Sequence, residues 1–397
     1  MELDLLNLLI VLFVAWGAGL LASRLGYPAV LGELLVGILL GPPLLGLLHG
    51  GEALAVLAEV GLLLMMLYIG MEIDPAELGR ASKGGILAAL GGFITPFVLC
   101  YLLVVYGAGL TPLAGVFVGV AAGVTSLATK SRILVDLQLL DTRVAHVMMA
   151  GALIADTLAL VVFAGVIGVA EAGTISATEL VIVAVKALAY FAVAAAFGLK
   201  VLPVVMRRIA DLKAVGGPAL FMALMLVMLL YAETAHLVGM HGILGAFLAG
   251  LFLRESVLGR TLSQELMHRV RDVSIGFLAP VFFVTAGFAV SLDVFRTDLA
   301  LLIGLVGLAT LGKVIGTALF YLPTGHGWRE GTVIGFGMNG RGAVEIIVAQ
   351  IALTMGLITA EVFSILVVMA MATTALVPLT LKWGVAWLRK RGELARS

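Results

Sequence analysis

The stretch Met149-Ala-Gly-Ala-Leu-Ile-Ala-Asp156-Thr-Leu-Ala-Leu-Val-Val-Phe163 is an apolar helical run with one carboxylate near its middle. An aspartate at the centre of a membrane-spanning helix costs roughly 2.5–3.5 kcal/mol on insertion scales, so it is rare there without a use. Such a residue is a candidate site for an ion, a proton or a substrate. The alternative is a structural hydrogen bond to a neighbouring helix. The features around Asp156 bear on which of the two applies.

The composition is that of a membrane protein. Of the 397 residues, 62% are hydrophobic and 12% are charged, whereas soluble domains are about half apolar and about a quarter charged. Acidic and basic residues balance to a formal charge of zero, which argues against nucleic acid as a partner. The single cysteine, Cys100, has no intrachain disulfide partner. The sequence therefore predicts an all-α polytopic protein whose surroundings are the lipid bilayer.

About thirteen apolar runs are long enough to cross the ~30 Å hydrocarbon core of a bilayer. The N-terminus lacks the basic region of a cleaved signal peptide, so the first run is expected to remain as a helix. The runs lie near 5–22, 28–48, 54–71, 84–106, 112–135, 143–169, 178–200, 217–237, 239–254, 273–291, 298–320, 329–353 and 359–388.

The basic residues orient these segments. Of the 24 Lys and Arg residues, Lys130, Lys186, Lys313 and Arg341 fall within segments, and Arg296 alone falls in an outer loop when the N-terminus is outside. The remaining 19 fall in inner loops, as the positive-inside rule requires. The pattern predicts a multi-pass protein with its N-terminus outside and its C-terminus in the cytoplasm.

Thirteen segments divide as six, one and six. Residues 1–170 would form one repeat, 171–213 a linker with helix 7, and 214–397 a second repeat. The second repeat is inverted because the first starts outside the membrane and the second starts inside. Inverted repeats that carry broken helices at matching positions are typical of secondary transporters.

The fifth segments of the two repeats share an unusual composition. One contains Gly119-Val-Ala-Ala-Gly-Val-Thr125-Ser126-Leu-Ala-Thr-Lys130, and the other contains Gly335-Phe-Gly-Met-Asn-Gly-Arg341-Gly342. Glycine costs about 1 kcal/mol relative to alanine in a helix, so four glycines within eight residues disfavour a continuous helix in the second. The alternative is that glycine serves close helix packing. The shared pattern predicts a pair of broken helices.

A carboxylate that holds alternately a proton or a dehydrated monovalent cation is sufficient for antiport. Thr125, Ser126 and Thr157, with backbone carbonyls freed by the breaks, can complete an oxygen shell around a cation at Asp156. This interpretation needs Na+ or K+ and H+ as partners, and no cofactor.

Basic residues in the two breaks suit the carbonyl ends of the half-helices. Lys130 and Arg341 could neutralise these ends, although Lys130 could equally extend to the inner surface. Glu345 lies four residues after Arg341 on the same helical face and could pair with it, in a structural or a coupling role.

Several motifs are spread along the whole chain. They are Tyr27-Pro-Ala-Val-Leu-Gly-Glu33-Leu-Leu-Val-Gly-Ile-Leu-Leu-Gly-Pro42, Leu67-Tyr-Ile-Gly-Met-Glu72-Ile-Asp74, Thr125-Ser126, Asp156, Lys313 and Met338-Asn-Gly-Arg341-Gly. These motifs resemble those of bacterial cation:proton antiporters of the sodium/hydrogen exchanger superfamily, Kef-type branch. The resemblance implies an elevator-type fold with a core domain from helices 4–6 and 11–13 that contains two crossed broken helices. It also implies a scaffold from the remaining helices that forms a homodimer, and a place in the bacterial inner membrane.

One position departs from the electrogenic relatives that this resemblance implies. Those relatives carry two adjacent acids on the sixth helix, and the equivalent of Lys313 pairs with the first. Here the first position is Ala155, so Lys313 needs another partner, for which Asp156 is the candidate, or must be neutral. A single carboxylate favours electroneutral 1:1 exchange, and electrogenic exchange through Lys313 is the alternative.

Two other classes of function compete with secondary antiport of Na+ or K+ against H+. A gated monovalent cation channel could also use crossed helices with a titratable acid. An intramembrane enzyme would need a catalytic group beyond one aspartate, and the apolar segments contain no His-Glu-x-x-His, Gly-x-Ser-x-Gly or paired-aspartate arrangement. The sequence thus predicts a transporter and not an enzyme.

Overall fold

The computed structural model describes residues 4–72, 83–125, 134, 139, 142–171, 177–211, 216–238, 242–254 and 258–394. These residues form α-helices joined by turns, and no β-strand occurs among them. The helices of the first half are α1 (Leu5–Arg24), α2 (Ala29–Leu40), α3 (Glu52–Glu72), α4 (Lys83–Leu102), α5 (Pro112–Gly123), α6 (Arg143–Glu171) and α7 (Ala177–Lys200).

The second half of the described chain has the same all-helical character. A π-helical turn, Leu103–Gly107, extends α4, and another, Ser274–Leu278, joins α11 to α12. The helices are α8 (Leu202–Asp211), α9 (Gly216–Leu237), α10 (Gly242–Phe252), α11 (Arg260–Val273), α12 (Ala279–Phe288), α13 (Val294–Thr297), α14 (Leu299–Tyr321), α15 (Trp328–Met338), α16 (Ala343–Thr354) and α17 (Ala360–Lys390).

Eight helical stretches in the described residues are long and apolar enough to cross a membrane. Four further apolar helices are shorter, with 10–17 residues: α2, α5, α10 and α16. Each of the thirteen predicted segments overlaps a described helix. The predicted class, an all-α protein with several membrane-spanning helices, is therefore confirmed at this coarser level.

Two predicted segments contain helices that end earlier than the apolar run does. The helix in 28–48 ends at Leu40, and the next residues are Gly41, Pro42 and Pro43. Proline has no N–H to donate and its ring clashes with the preceding turn, so the helix cannot continue through this sequence. The helix in 112–135 ends at Gly123, within the first glycine-rich stretch.

The described chain divides into two compact units. The first comprises Met1–Leu12, Gly50–Pro75 and Ala164–Thr285, and the second comprises Phe13–His49, Ala76–Phe163 and Ala286–Ser397.

Close helix packing and paired tyrosines hold the first unit together. Helix α3 packs on α10 so tightly that a Cβ added at Gly70 would lie 2.1 Å from the Phe247 carbonyl oxygen. The Tyr190 hydroxyl donates to the Tyr231 carbonyl oxygen at 2.8 Å, and the Tyr231 hydroxyl donates to the Ala194 carbonyl oxygen at 2.9 Å. These reciprocal bonds tie α7 to α9.

In the second unit, α4 and α14 pack backbone against backbone. A Cβ added at Gly91 would lie 2.2 Å from the Gly316 carbonyl oxygen, and one added at Gly316 would lie 2.3 Å from the Gly91 carbonyl oxygen. Only glycine tolerates such an approach. At Gly92 the close neighbour is the Thr317 hydroxyl, 2.7 Å from the position of a Cβ, while the stem of Lys313 lies in ordinary contact with its Cδ at 3.5 Å. The side chain of Lys313 is fully buried.

Candidate functional site

A helix ends within the first glycine-rich stretch. Helix α5 ends at Gly123, and Val124 is extended with φ −57° and ψ 154°. We call Val124–Thr125 the first break. Carbonyl oxygens of Val124 and of the last turn of α5 accept hydrogen bonds from two fully buried basic side chains. Arg341 Nη1 donates to the Ala121 oxygen at 2.6 Å, and Lys313 Nζ donates to the Gly123 and Val124 oxygens.

These two cations compensate the negative end of α5. The last carbonyl groups of a helix lack intrahelical partners and carry about half a negative charge. Arg341 therefore lies where the charge-compensating hypothesis put a cation. For Lys313 the described hydrogen bonds go to backbone carbonyls, while its pairing with Asp156 stays a prediction.

The second glycine-rich stretch also interrupts a helix. Helix α15 ends at Met338 and α16 begins at Ala343, so Asn339–Gly342 forms the second break. Thr374 of α17 holds this break by its backbone, because its hydroxyl accepts from the Arg341 N–H at 2.9 Å and donates to the Arg341 oxygen at 3.1 Å. Sequence reasoning missed Thr374. A signal existed in the pair Thr373-Thr374 within an apolar helix.

Thr125 connects the two breaks to Asp156. Its hydroxyl donates to the Met338 oxygen, the last carbonyl of α15, at 2.6 Å, and lies 3.3 Å from the Gly340 oxygen in the second break. Its backbone N–H donates to Asp156 Oδ1 at 3.4 Å. The Asp156 carboxylate in the middle of α6 therefore lies against the first break, where Thr125 links it to the carbonyl end of α15.

Other predicted site residues are less directly engaged. The Thr157 hydroxyl donates to the Leu153 oxygen of its own helix at 2.8 Å, so its described bond is local. Ser126 and Lys130 lie outside the described residues. Ala155, which replaces a second acid, is fully buried and packs with Ala89 and Ile154. The structure thus brings together Asp156, Thr125, Lys313 and Arg341.

Glu345 and Arg341 form a loose ion pair behind the second break. Arg341 Nη1 and Glu345 Oε1 are 3.6 Å apart, and both side chains are fully buried. Neither carboxylate oxygen of Glu345 has a hydrogen-bond partner among the described residues, nor do Arg341 Nε and Nη2. Asp156, Glu345, Lys313 and Arg341 sum to zero charge when all four are ionised.

The oxygen atoms that meet at this site can hold a proton or a small cation. Hydroxyl, carbonyl and carboxylate oxygens are the ligands that hard cations prefer. Lys313 and Arg341 are bonded to the carbonyl end of α5, and Asp156 is the acid that contacts the first break. The Asn339 side chain extends the polar lining to α14, because its Nδ2 lies 3.4 Å from Thr310 Oγ1.

Comparisons with known proteins agree with this geometry. The chain is 31% identical over 368 residues to the Na+/H+-K+ antiporter GerN of Bacillus cereus, which covers 92% of each chain. It is 26% identical over 384 residues to a Na+/H+ antiporter of Enterococcus hirae, which covers 96% of this chain and 98% of that protein.

A solved structure shares the fold. The sodium proton antiporter MjNhaP1 of Methanocaldococcus jannaschii superposes with a TM-score of 0.68 at 18% identity, over 96% of this chain and 95% of that one. The family model described as "Sodium/hydrogen exchanger, transmembrane" matches residues 8–387. With nearly its whole length matched, the chain belongs to the transmembrane sodium/hydrogen exchanger family.

Proposed function

We propose that this protein is a secondary active antiporter that exchanges Na+ or K+ for H+ across a bacterial inner membrane by alternating access. The observation that carries the proposal is the contact of the Asp156 carboxylate with Thr125 at the first break. Membership of the exchanger family and the names of the two bacterial relatives support cation/proton exchange.

In this proposal Asp156 binds the two substrates alternately. A proton on its carboxylate is replaced by a monovalent cation, whose remaining ligands are oxygens of Thr125, Ser126, Thr157 and the freed carbonyls. Lys313 and Arg341 keep the carbonyl end of α5 neutral, and Lys130 serves the same purpose. Exchange of one proton for one cation is electroneutral and needs no cofactor.

The architecture we propose has thirteen membrane crossings, with the N-terminus outside and the C-terminus in the cytoplasm. Residues 1–170 and 214–397 form inverted repeats joined by 171–213, within the Kef-type branch. A core that carries both breaks moves against a scaffold that forms the homodimer. In support, the second compact unit contains both breaks and Asp156.

The experiment is exchange by purified protein in proteoliposomes that contain a pH-sensitive dye. Addition of Na+, K+ or Li+ to the wild type should move protons in the opposite direction, with a rate that saturates. Asp156→Asn should abolish this movement, because an amide can neither release a proton nor neutralise a cation. Asp293→Asn, which changes an exposed aspartate, should leave exchange unchanged.

Two outcomes would count against the proposal. Wild-type exchange by Asp156→Asn would move the site elsewhere. A cation flux that neither saturates nor needs an opposing proton gradient would indicate a gated channel instead.

A further inference from the structure

A buried carboxylate lies at one end of the second unit, away from the breaks. Glu330, near the start of α15, is 3% exposed and accepts three hydrogen bonds. Arg143 Nε donates to its Oε1 at 2.8 Å and Arg143 Nη2 to its Oε2 at 2.5 Å. The Tyr321 hydroxyl donates to Oε1 at 2.8 Å. We call Arg143, Tyr321 and Glu330 the Glu330 cluster.

Each member of the Glu330 cluster lies on a helix that brings a group to the ion site. Arg143 is the first residue of α6, which carries Asp156, and Tyr321 is the last residue of α14, which carries Lys313. Glu330 belongs to α15, whose last carbonyl is that of Met338. At 1.5 Å per residue, the cluster lies about 20 Å from Asp156 along α6 and about 12 Å from Lys313 and Met338 along the other two helices.

The same helices meet again at the site. Thr125 bridges α6 and α15, because its N–H donates to Asp156 and its hydroxyl to the Met338 oxygen. Two separate points of attachment restrict both the tilt and the axial shift of one helix against the other. The attachment at Glu330 is the stronger of the two, since bidentate charge-assisted bonds combine energy with a fixed geometry.

We infer that Glu330 is a positioning residue for the ion site. It holds α6, α14 and α15 in the register in which Asp156, Lys313 and the Met338 carbonyl meet at the first break. The inference rests on the proposed antiport at Asp156 and extends it to a residue that touches neither substrate. Supporting residues of this kind matter because the groups of a binding site must be held within about 0.5 Å of their productive positions.

A purely structural role would give a different result. Buried ion pairs can often be replaced without loss of stability, provided that no charge is left unpaired. A pair that only stabilises the fold should, when weakened, lower the unfolding temperature and leave the affinity for the cation unchanged. A positioning pair should raise the KM for the cation in protein that is still folded.

The test uses full-length protein with Glu330→Gln, Arg143→Lys and Tyr321→Phe, each in proteoliposomes with Na+ as the driving ion. Glu330→Gln keeps the shape and removes the charge, so it should raise the KM for Na+ about fivefold or more, while the maximal rate stays within about twofold. Arg143→Lys loses the bidentate guanidinium contact with Glu330 and should raise the KM for Na+ less than Glu330→Gln does. Tyr321→Phe should raise it least. Tryptophan fluorescence reports the unfolding temperature of each variant.

A neighbouring ion pair provides the matched control. Arg329 Nη1 lies 2.7 Å from Glu393 Oε1, and both side chains are about one third exposed. Arg329→Gln and Glu393→Gln remove a charge beside Glu330 without touching α6 or α14, so the KM for Na+ should stay at the wild-type value.

The outcomes separate the inference from the proposed function. An unchanged KM in folded Glu330→Gln, or an equal rise in the control variants, would overturn the inference while the wild type still exchanges ions. If Glu330→Gln does not fold, a KM unchanged in both Arg143→Lys and Tyr321→Phe overturns it in the same way. A wild type without Na+-driven exchange would refute the proposed function, and the inference with it.

Discussion

The second unit contains two Arg–Glu pairs with a buried glutamate, and they differ in the exposure of the arginine and in their bonding: the Arg143 side chain is 32% exposed, whereas that of Arg341 is fully buried. In the pair at the helix ends, Arg143 grips both oxygens of Glu330 at 2.5–2.8 Å. In the pair behind the second break, Arg341 Nη1 is 3.6 Å from Glu345 Oε1. Both oxygens of Glu345 lack hydrogen-bond partners within the described residues.

The difference in bonding suits the two pairs to different roles, one in fixing helix positions and the other in the chemistry of the ion site. A buried charge without full hydrogen bonding is costly, and such conflicts are expected at functional sites. Both oxygens of Glu330 accept hydrogen bonds from the protein itself, which suits a positioning residue. The loose Arg341–Glu345 pair retains donors and acceptors beside the break, where water or a moving charge can use them.

The largest effect that the comparison predicts is from Arg341→Met. This change leaves Glu345 without its cation and the Ala121 carbonyl without its donor. Removal of one partner from a buried ion pair costs about 3–5 kcal/mol. SDS titration in mixed micelles should show a fall of this size in the free energy of unfolding. A fall below about 1 kcal/mol would mean that the loose pair contributes nothing to the fold.

The next largest effect is the difference in the free energy of unfolding between variants of the two glutamates. Glu330→Gln weakens three described hydrogen bonds. Glu345→Gln breaks none, and it leaves Arg341 bonded to the Ala121 carbonyl at the negative end of α5, so that the guanidinium keeps a partner. Hydrogen bonds to charged groups contribute about 1.5–3 kcal/mol each. In the same titration Glu330→Gln should therefore lose at least about 1.5 kcal/mol more than Glu345→Gln. Equal losses, or a larger loss for Glu345→Gln, would remove the distinction between the pairs.

The sequence predicted the loose pair and overlooked the tight one, for a physical reason. A charged residue within an apolar segment is conspicuous, so Asp156, Lys313, Arg341 and Glu345 could be singled out. Arg143 and its partners lie at helix ends, where charged residues are ordinarily solvated. The positive-inside rule places Arg143 in an inner loop. Its bidentate contact with Glu330 becomes apparent only in the folded structure.

The breaks were predictable in position but not in their connections. Glycine content located both, because each glycine lowers helix stability by an amount that can be summed along the sequence. The contacts of Thr125 with Met338, and of Arg341 with Ala121 and Thr374, join residues more than thirty positions apart. Such pairings depend on helix packing that no local pattern encodes. The same holds for Lys313, whose described partners are the Gly123 and Val124 carbonyls.

A smaller effect is expected at Thr125, which connects the chemistry of the first break to the geometry of α15. Thr125→Val keeps the shape but removes the hydroxyl that the Met338 carbonyl accepts. The same hydroxyl is a proposed cation ligand, so its loss should weaken ground-state binding of the cation. A loss of about 1.4 kcal/mol in binding corresponds to a KM for Na+ about tenfold higher. Thr125→Ser keeps the hydroxyl and should remain within about twofold of wild type. A Thr125→Val protein with the wild-type KM would exclude this hydroxyl from the site.

The last prediction is that the membrane potential has no effect on the final proton gradient. It concerns the net charge that each exchange cycle carries across the membrane. The site has two acids and two bases, Asp156 and Glu345 against Lys313 and Arg341, and these sum to zero when all are ionised. If only Asp156 changes its partner, from one proton to one cation, no net charge moves in a cycle. The alternative is that Lys313 releases a proton when the cation enters, which would make exchange electrogenic.

Liposomes clamped with K+ and valinomycin, with Na+ as the driven ion, separate the two cases. A potential of about 100 mV corresponds to about 2.3 kcal/mol for each charge moved, so electrogenic exchange would shift the final proton gradient measurably. Electroneutral exchange should give the same gradient with and without the potential. The bonds from Lys313 to the carbonyl end of α5 favour this result, because these carbonyl oxygens carry partial negative charge, which stabilises the protonated form of the lysine. If a shift is observed, Lys313→Gln should abolish it, and the loose pair beside the break would then be a candidate for the proton route.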